Sequence, residues 1–167
     1  MVYKNSASEV LAFNEGNEYI KWGDIYSTGI RQIDEQHKQL VILTNQLYHA
    51  CLAGDDSVGS VFKEAMSRMV EYVRFHFSAE QKLLEQINYP NCKDHKTKHD
   101  ALIKDILEMA KEYGEGRKFV PNHFVRILKD WVFGHIAVED KIYSAFVQEQ
   151  MKRGLLTAGV LENLKVN

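Results

Sequence analysis

The chain is poor in the features that would point away from a helical protein. It has two prolines in 167 residues and few β-branched runs, so little in it breaks helix or competes with it. Its two cysteines, Cys51 and Cys92, fall on separate helical patterns and are expected as reduced thiols rather than as a disulfide. Charge of neither sign dominates: 21 Lys and Arg stand against 23 Asp and Glu, for a net charge of -2. That balance offers nucleic acid no basic surface. No apolar run approaches membrane-spanning length, and the N-terminus lacks the basic-then-apolar order of a signal peptide. These absences lead to the expectation of a cytoplasmic protein with no membrane and no nucleic-acid partner. There is no internal repeat and no low-complexity segment. What remains is a chain that is 45% hydrophobic and long enough to bury one sizeable core.

Four long stretches carry apolar residues at alternating spacings of three and four, the pattern of helices packed at a shallow angle. The first starts near Asp34, read as an N-cap, and stops at Gly54, with the inner seam His37, Leu40, Thr44, Leu47 and Cys51. The second runs from near Ser57 to before Pro90 and turns Phe62, Met66, Met69, Val73, His76, Glu80, Leu83 and Ile87 inward. The third takes Asn91 as N-cap and ends at Gly114, with His95, His99, Leu102, Ile106, Met109 and Tyr113 inside. The fourth begins around Pro121 and extends toward Gly154, with Phe124, Leu128, Trp131, His135, Val138 and Ile142 on its seam. The connections are short, which forces neighbours to run antiparallel. The expected fold is therefore all-α, an up-down-up-down four-helix bundle over residues 22–154. An N-terminal arm over 1–21 and a C-terminal extension over 155–167 flank it. Ser6-Ala7-Ser8-Glu9 resembles a capping box, so a short helix ending at Gly16 and a frayed terminus fit the arm equally. The extension has the length of one further short helix. Between arm and bundle, Tyr19 to Ile33 has no helical period and reads as an extended segment that packs its aromatic side chains on the body.

The stretch from His76 to His99 organises the rest. His76 and Glu80, and then His95 and His99, are pairs four apart on two helices joined by a tight hinge at Asn88-Tyr89-Pro90-Asn91. Each pair shares a helix face. Counted from the far end of the bundle (Gly54, Ser57, Gly114, Pro121), His37, His76, His95, His99, His135 and Asp140 lie 14 to 19 residues in. At helical rise that places all six at roughly 21 to 29 Å, one thin layer drawn from four helices. All except Asp140 also fall on the seams. His49 and His123 are each 12 residues from the layer histidine of their own helix, about 18 Å along its axis, and are expected as solvated or locally bonded side chains.

Five buried imidazoles and two carboxylates in one layer would be costly without something to pair them. A metal does so. Seven ligands exceed the needs of one tetrahedral zinc and suit two ions with the carboxylates shared. Nitrogen-rich sites do not by themselves choose between iron, zinc and copper. Bundles that hold iron through Glu and Glu-x-x-His pairs are rich in carboxylate; this chain is rich in imidazole. Fewer anionic ligands disfavour highly oxidised iron, and so favour binding of a small oxidant over oxygenase chemistry.

His37, His76-x-x-x-Glu80, His95-x-x-x-His99 and His135-x-x-x-x-Asp140 together resemble the hemerythrin pattern. The flanks Trp22, Thr28-Gly29-Ile30, Ile33-Asp34 and Gln36-His37-Lys38 resemble its bacterial branch, the bacteriohemerythrins. The resemblance covers about Trp22 to Phe146. It implies a non-haem di-iron centre that binds dioxygen reversibly, for carriage, storage or sensing, and that is not an enzyme. It implies that His95, His99 and His135 hold one iron and His37 and His76 the other. Glu80 and Asp140 would bridge them beside a third, oxygen-derived bridge, which leaves the second iron one ligand short for dioxygen. The alternative is an enzyme on the same centre, acting on peroxide or nitric oxide. A protein partner or self-association through the terminal segments is left unassigned.

One conflict stands between resemblance and geometry. His135 and Asp140 are five apart, about 140° around an ideal helix, whereas Glu139 would sit nearer the seam. Asp140 as a ligand calls for a π-type bulge there. Around the open position, Trp131, Val132 and Ile136 are the expected wall, with Ile33, Leu40, Phe77 and Ile103 as further candidates. Val132 stands where the family often has leucine. Gln36, Asn45, Glu108 and several tyrosines are candidates for holding the imidazole N–H groups, without an assignment among them.

Overall fold

In a computed structural model, the chain is described over residues 18–54 and 56–157. The expected short helix near Ser6–Glu15 lies outside the described residues, as does most of the C-terminal extension; Leu155 to Thr157 are not helical. Helix is the one regular element among the described residues. Four rods form: α1 (Arg31–Ala53), α2 (Val58–Tyr72, then Val73–Phe77, then Ser78–Gln86), α3 (Cys92–Gly114) and α4 (Val120–Trp131, then Val132–Glu139, then Asp140–Lys152). The middle segments of α2 and α4 are π-helical. The architecture is the expected four-helix bundle. Among the described residues no helix is long and apolar enough to cross a membrane.

The start of α1 differs from expectation. Asp34 is not the N-cap: Ile30 is, and the helix begins four residues earlier. Asp34 sits in the first turn and points its carboxylate back at the incoming segment. It accepts from the Thr28 and Gly29 backbone N–H groups at 2.7 and 3.2 Å, and from the Ser27 and Thr28 hydroxyls at 2.6 and 2.7 Å. One carboxylate thus organises the loop rather than the helix end. The far end of α1 stops at Gly54, whose φ of 65° lets its N–H turn back to Ala50 O.

The segment before α1 packs its aromatics on the bundle as expected. Tyr19 stacks on Tyr48 with centroids 3.8 Å apart, Tyr26 is buried, and Lys38 Nζ lies 5.7 Å over the Trp22 ring. Ile25 instead faces solvent. Asn45 anchors the segment by pairing with both backbone groups of Ile20.

The seams predict the core of α1 to α3 closely, and that of α4 only up to His135. Val138 and Ile142 were expected inside; each is 50% exposed. Asp140, Tyr143 and Val147 are buried in their place. The cause is the π segment: with bonding to the fifth residue rather than the fourth, five residues make about one turn, and the inner face passes from His135 to Asp140. Two apolar clusters result. One, built on Leu40, Phe62, Met69, Phe124 and Leu128, fills the far end; the other, built on Ile33, Leu83, Leu84 and Tyr143, fills the end near the 88–91 hinge. The polar layer lies between them.

Candidate metal centre

All seven predicted ligands are buried: His37, His76, Glu80, His95, His99, His135 and Asp140. Their ligand atoms gather in two overlapping groups, each within 4.8 Å across: Glu80, His95, His99 and His135, and then His37, His76, Glu80 and Asp140. Glu139 belongs to neither. Its carboxylate pairs with Lys98 at 2.7 Å on the outer face, so the bulge turns Asp140 inward and its neighbour out. His49 and His123 also lie outside both groups.

The two carboxylates connect the groups. Glu80 Oε2 lies 3.5, 3.4 and 3.2 Å from Nε2 of His76, His95 and His99. Asp140 divides its oxygens: Oδ2 lies 3.3 Å from His37 Nε2, while Oδ1 lies 3.5 and 3.2 Å from Nε2 of His95 and His135. Neither Asp140 oxygen has a hydrogen-bond partner, although both are buried. The Nε2 atoms of His99 and His135 face each other at 2.9 Å, and those of His37 and His76 at 3.2 Å. Each such pair can share at most one proton while both rings are neutral. Unpaired acceptor oxygens and converging nitrogen lone pairs are the donor set of a pair of borderline or hard cations. The residues fit a two-metal centre.

Groups behind the ligands orient them. Gln36 Oε1 accepts from His76 Nδ1 at 2.9 Å, which leaves Nε2 of that ring free to ligate. Of the other candidates, Asn45 is occupied by Ile20 and Glu108 is exposed. The sequence reading did not single out Tyr143, whose hydroxyl donates a short hydrogen bond to Glu80 Oε1. The signal was available: three residues after Asp140, Tyr143 shares its inward face. Tyr72 also went unmarked. Its ring stacks on His76 with centroids 4.4 Å apart, as Trp131 stacks on His135 at 3.8 Å and Phe77 on His99 at 3.7 Å. Val132 and Ile136 are buried beside these rings in the far-end cluster; Leu40 joins the same cluster, Ile103 is half-buried against it, and Ile33 lies in the other. On the outside, a groove between α3 and α4, lined by Lys98, Asp105, Trp131 and Glu139, reaches His135.

Burial sets the protonation of this layer. It drives the His76 imidazole down to about 3 and lowers His99 as well, the pull of Glu80 notwithstanding. Burial alone would raise Glu80 and Asp140. The surrounding imidazoles outweigh it and leave Asp140 below its ordinary value and Glu80 well below. Burial and the two carboxylates hold the Tyr72 and Tyr143 hydroxyls well above the usual phenol value, so both remain donors. In the metal-free chain these shifts make stability depend on pH. His76, His99, Glu80 and Asp140 all bind protons more readily unfolded than folded, so folding loses stability as pH falls through these groups. For His76 the loss begins near its ordinary value of 6.5 and continues to about 3. His95 opposes the trend, because its hydrogen bond and attraction to Glu80 outweigh burial and raise it. The urea midpoint of metal-free protein is expected to drop from about pH 7 to about pH 4; a flat or rising midpoint would contradict these shifts.

Comparison with known proteins agrees with the geometry. The sequence model of the hemerythrin HHE cation binding domain matches residues 28–147. A bacteriohemerythrin from Stenotrophomonas maltophilia is 28% identical over 132 residues, covering 79% of this chain and 84% of that protein. One from Methylococcus capsulatus is 27% identical over 118 residues, covering 71% and 88%. A hemerythrin-like protein from Naegleria gruberi is 30% identical over 122 residues, covering 73% and 88%. The matched span contains all seven inward-facing ligand candidates and both π segments, and the chain belongs to the hemerythrin HHE cation-binding domain family.

Proposed function

We propose that this protein binds dioxygen reversibly at two iron ions held in the layer between its apolar clusters. His95, His99 and His135 would hold one ion and His37 and His76 the other, with Glu80 and Asp140 shared. The observation that carries this reading is the division of Asp140, one oxygen toward His37 and the other toward His95 and His135. When bound, iron supplies the electrons and the open coordination position for dioxygen. The chain's residues supply the rest. Gln36 fixes the His76 ring, Tyr143 keeps its proton and fixes Glu80, and the rings of Phe77 and Trp131 with Val132 and Ile136 keep the position dry. Trp131, Val132 and Ile136 are thus assigned to the ligand pocket.

The test is an iron count per chain on purified protein, with visible spectra recorded through cycles of air and vacuum. A band that returns with each cycle supports reversible binding. Irreversible bleaching with turnover of peroxide or nitric oxide assigns the centre to an enzyme instead, and a chain without iron rejects both. The pocket assignment has its own expected result. Val132 is fully buried and smaller than leucine, so Val132→Leu is expected to tighten the pocket and slow autoxidation by about 4-fold, the scale of about 0.8 kcal/mol for one buried methylene. An unchanged rate would remove Val132 from the pocket.

A further inference from the structure

The layer is sealed along the bundle axis. An apolar cluster packs on each side of it, one built on Leu40 and Phe62 and the other on Leu83 and Tyr143. A hydrated cation does not cross such packing, because its charge would leave water with nothing to replace it. An ion that reaches the ligands must therefore pass between two helices.

The ligand candidates differ in how they meet the outside. His37, His76, Glu80 and Asp140 are 0% exposed, whereas His95 and His99 are 3% and His135 is 4% exposed. The three that keep some contact with solvent form one group with Glu80. They lie on α3 and α4, the helices that flank the outer groove, and His135 is part of the groove's lining. The groove has a volume of about 430 Å³, room for an ion with several of its waters at about 30 Å³ each. Its charge is negative: Asp105, Asp130 and Glu139 stand against Lys98 alone. Lys98 is itself paired with Asp94 and Glu139, at 3.0 and 2.7 Å.

Gly134 lies where the groove meets the layer. It precedes His135 in the π segment of α4 and is exposed. Glycine weakens a helix relative to alanine. Neither of its usual reasons applies here, because Gly134 has no positive φ and an added Cβ would meet no atom within 4 Å. What its missing side chain leaves is open space beside a ligand.

We propose that the groove between α3 and α4 is the port through which divalent cations enter the layer, and that Gly134 keeps it open. The proposal rests on the reading of the layer as a two-metal centre. Both ions pass the same port, so one plug slows the uptake of both. The groove carboxylates draw cations toward it, an attraction that salt screens.

The experiment mixes metal-free protein with cobalt(II), whose visible absorption reports its coordination, and follows uptake with time. Gly134→Leu is expected to slow the uptake of both ions by at least about 10-fold, equivalent to about 1.4 kcal/mol on the barrier. The final cobalt content and the unfolding midpoint should match wild type. Gly134→Ala should slow uptake less. Ala145→Leu, at an exposed position of α4 outside the groove, should leave the rate unchanged. Uptake indifferent to Gly134→Leu overturns the port. Equal slowing by Ala145→Leu does the same, since it would show that the whole bundle must open. A lower final content at an unchanged rate would place Gly134 in the framework of the site and not at its entrance, and also overturns the port.

The carboxylates give a test that does not depend on Gly134. Asp105→Asn combined with Asp130→Asn is expected to slow uptake about 10-fold at low ionic strength, much less at high salt, and with the same final content. No slowing, or a slowing that salt does not alter, overturns the role of the groove. If wild type binds neither cobalt nor iron, the two-metal reading itself fails. If it binds them at rates that neither Gly134 nor the carboxylates govern, that reading stands and the port does not.

Discussion

Loading with iron is expected to raise the thermal unfolding midpoint by on the order of 20 °C. Five imidazoles and two carboxylates are buried in one layer, and both oxygens of Asp140 face imidazole nitrogens at 3.2 to 3.5 Å without good hydrogen-bond geometry. The apolar clusters on either side must hold this layer together against its own desolvation. Cations that bind the folded chain and not the unfolded one add their binding free energy to stability. Structural metal sites supply about 10 kcal/mol, and a chain of this size gains at least about 2 °C per kcal/mol. Calorimetric scans of iron-free and iron-loaded protein at one pH measure the difference. A shift below about 5 °C would correspond to only about 2 kcal/mol, too little for ions held by seven ligands.

The second large effect separates two adjacent acids. Asp140→Ala is expected to cut iron content by at least about half, because in the proposed di-iron centre each ion would lose a shared ligand. Glu139→Ala is expected to leave iron content unchanged, because Glu139 faces Lys98 across the surface rather than the layer. An ideal helix predicts the reverse, since it would place Glu139 nearest the seam. Iron analysis of the two variants, each first shown by circular dichroism to be folded, decides between the two geometries. Loss of iron in Glu139→Ala with retention in Asp140→Ala would overturn the bulge as the device that presents the ligand.

What the sequence disclosed, and what it hid, follows from how local each signal is. Helix existence, the antiparallel order and the common height of six ligand candidates depend only on chain length and helical rise, and these came through. Seam positions came through where the helix is regular, as at Leu40, Leu47, Met69 and Leu102. They failed at Val138 and Ile142, where a change in helical pitch rotated the face. The bulge in α4 was legible because a ligand on the wrong face demanded it. The bulge in α2 was not, because His76 and Glu80 already shared a face without it. Asp34 looked like a cap by residue type, and only the position of the Ser27–Gly29 loop reveals that it binds that loop instead. Tyr143 could be placed on the inner face by its spacing from Asp140, but which group its hydroxyl meets was illegible, as it was for Tyr72. A tyrosine on an inner face has the same signature whether its hydroxyl meets a ligand, another side chain or nothing.

The π segment of α4 also bears on how such a centre can be gained or lost over generations. It behaves as one surplus residue accommodated within an otherwise ordinary rod. Loss of a single codon between His135 and Asp140 would let the rod relax to standard pitch, with the acid now four places after the histidine. Because the surplus residue and its bulge would go together, everything downstream would keep its face, with the acid still turned inward and Tyr143 three places after it. A family tree of such bundles should therefore show that loss of one residue in this interval together with the bulge is compatible with the metal-binding set, whereas a residue lost or gained without the matching change of pitch turns the acid off the inner face.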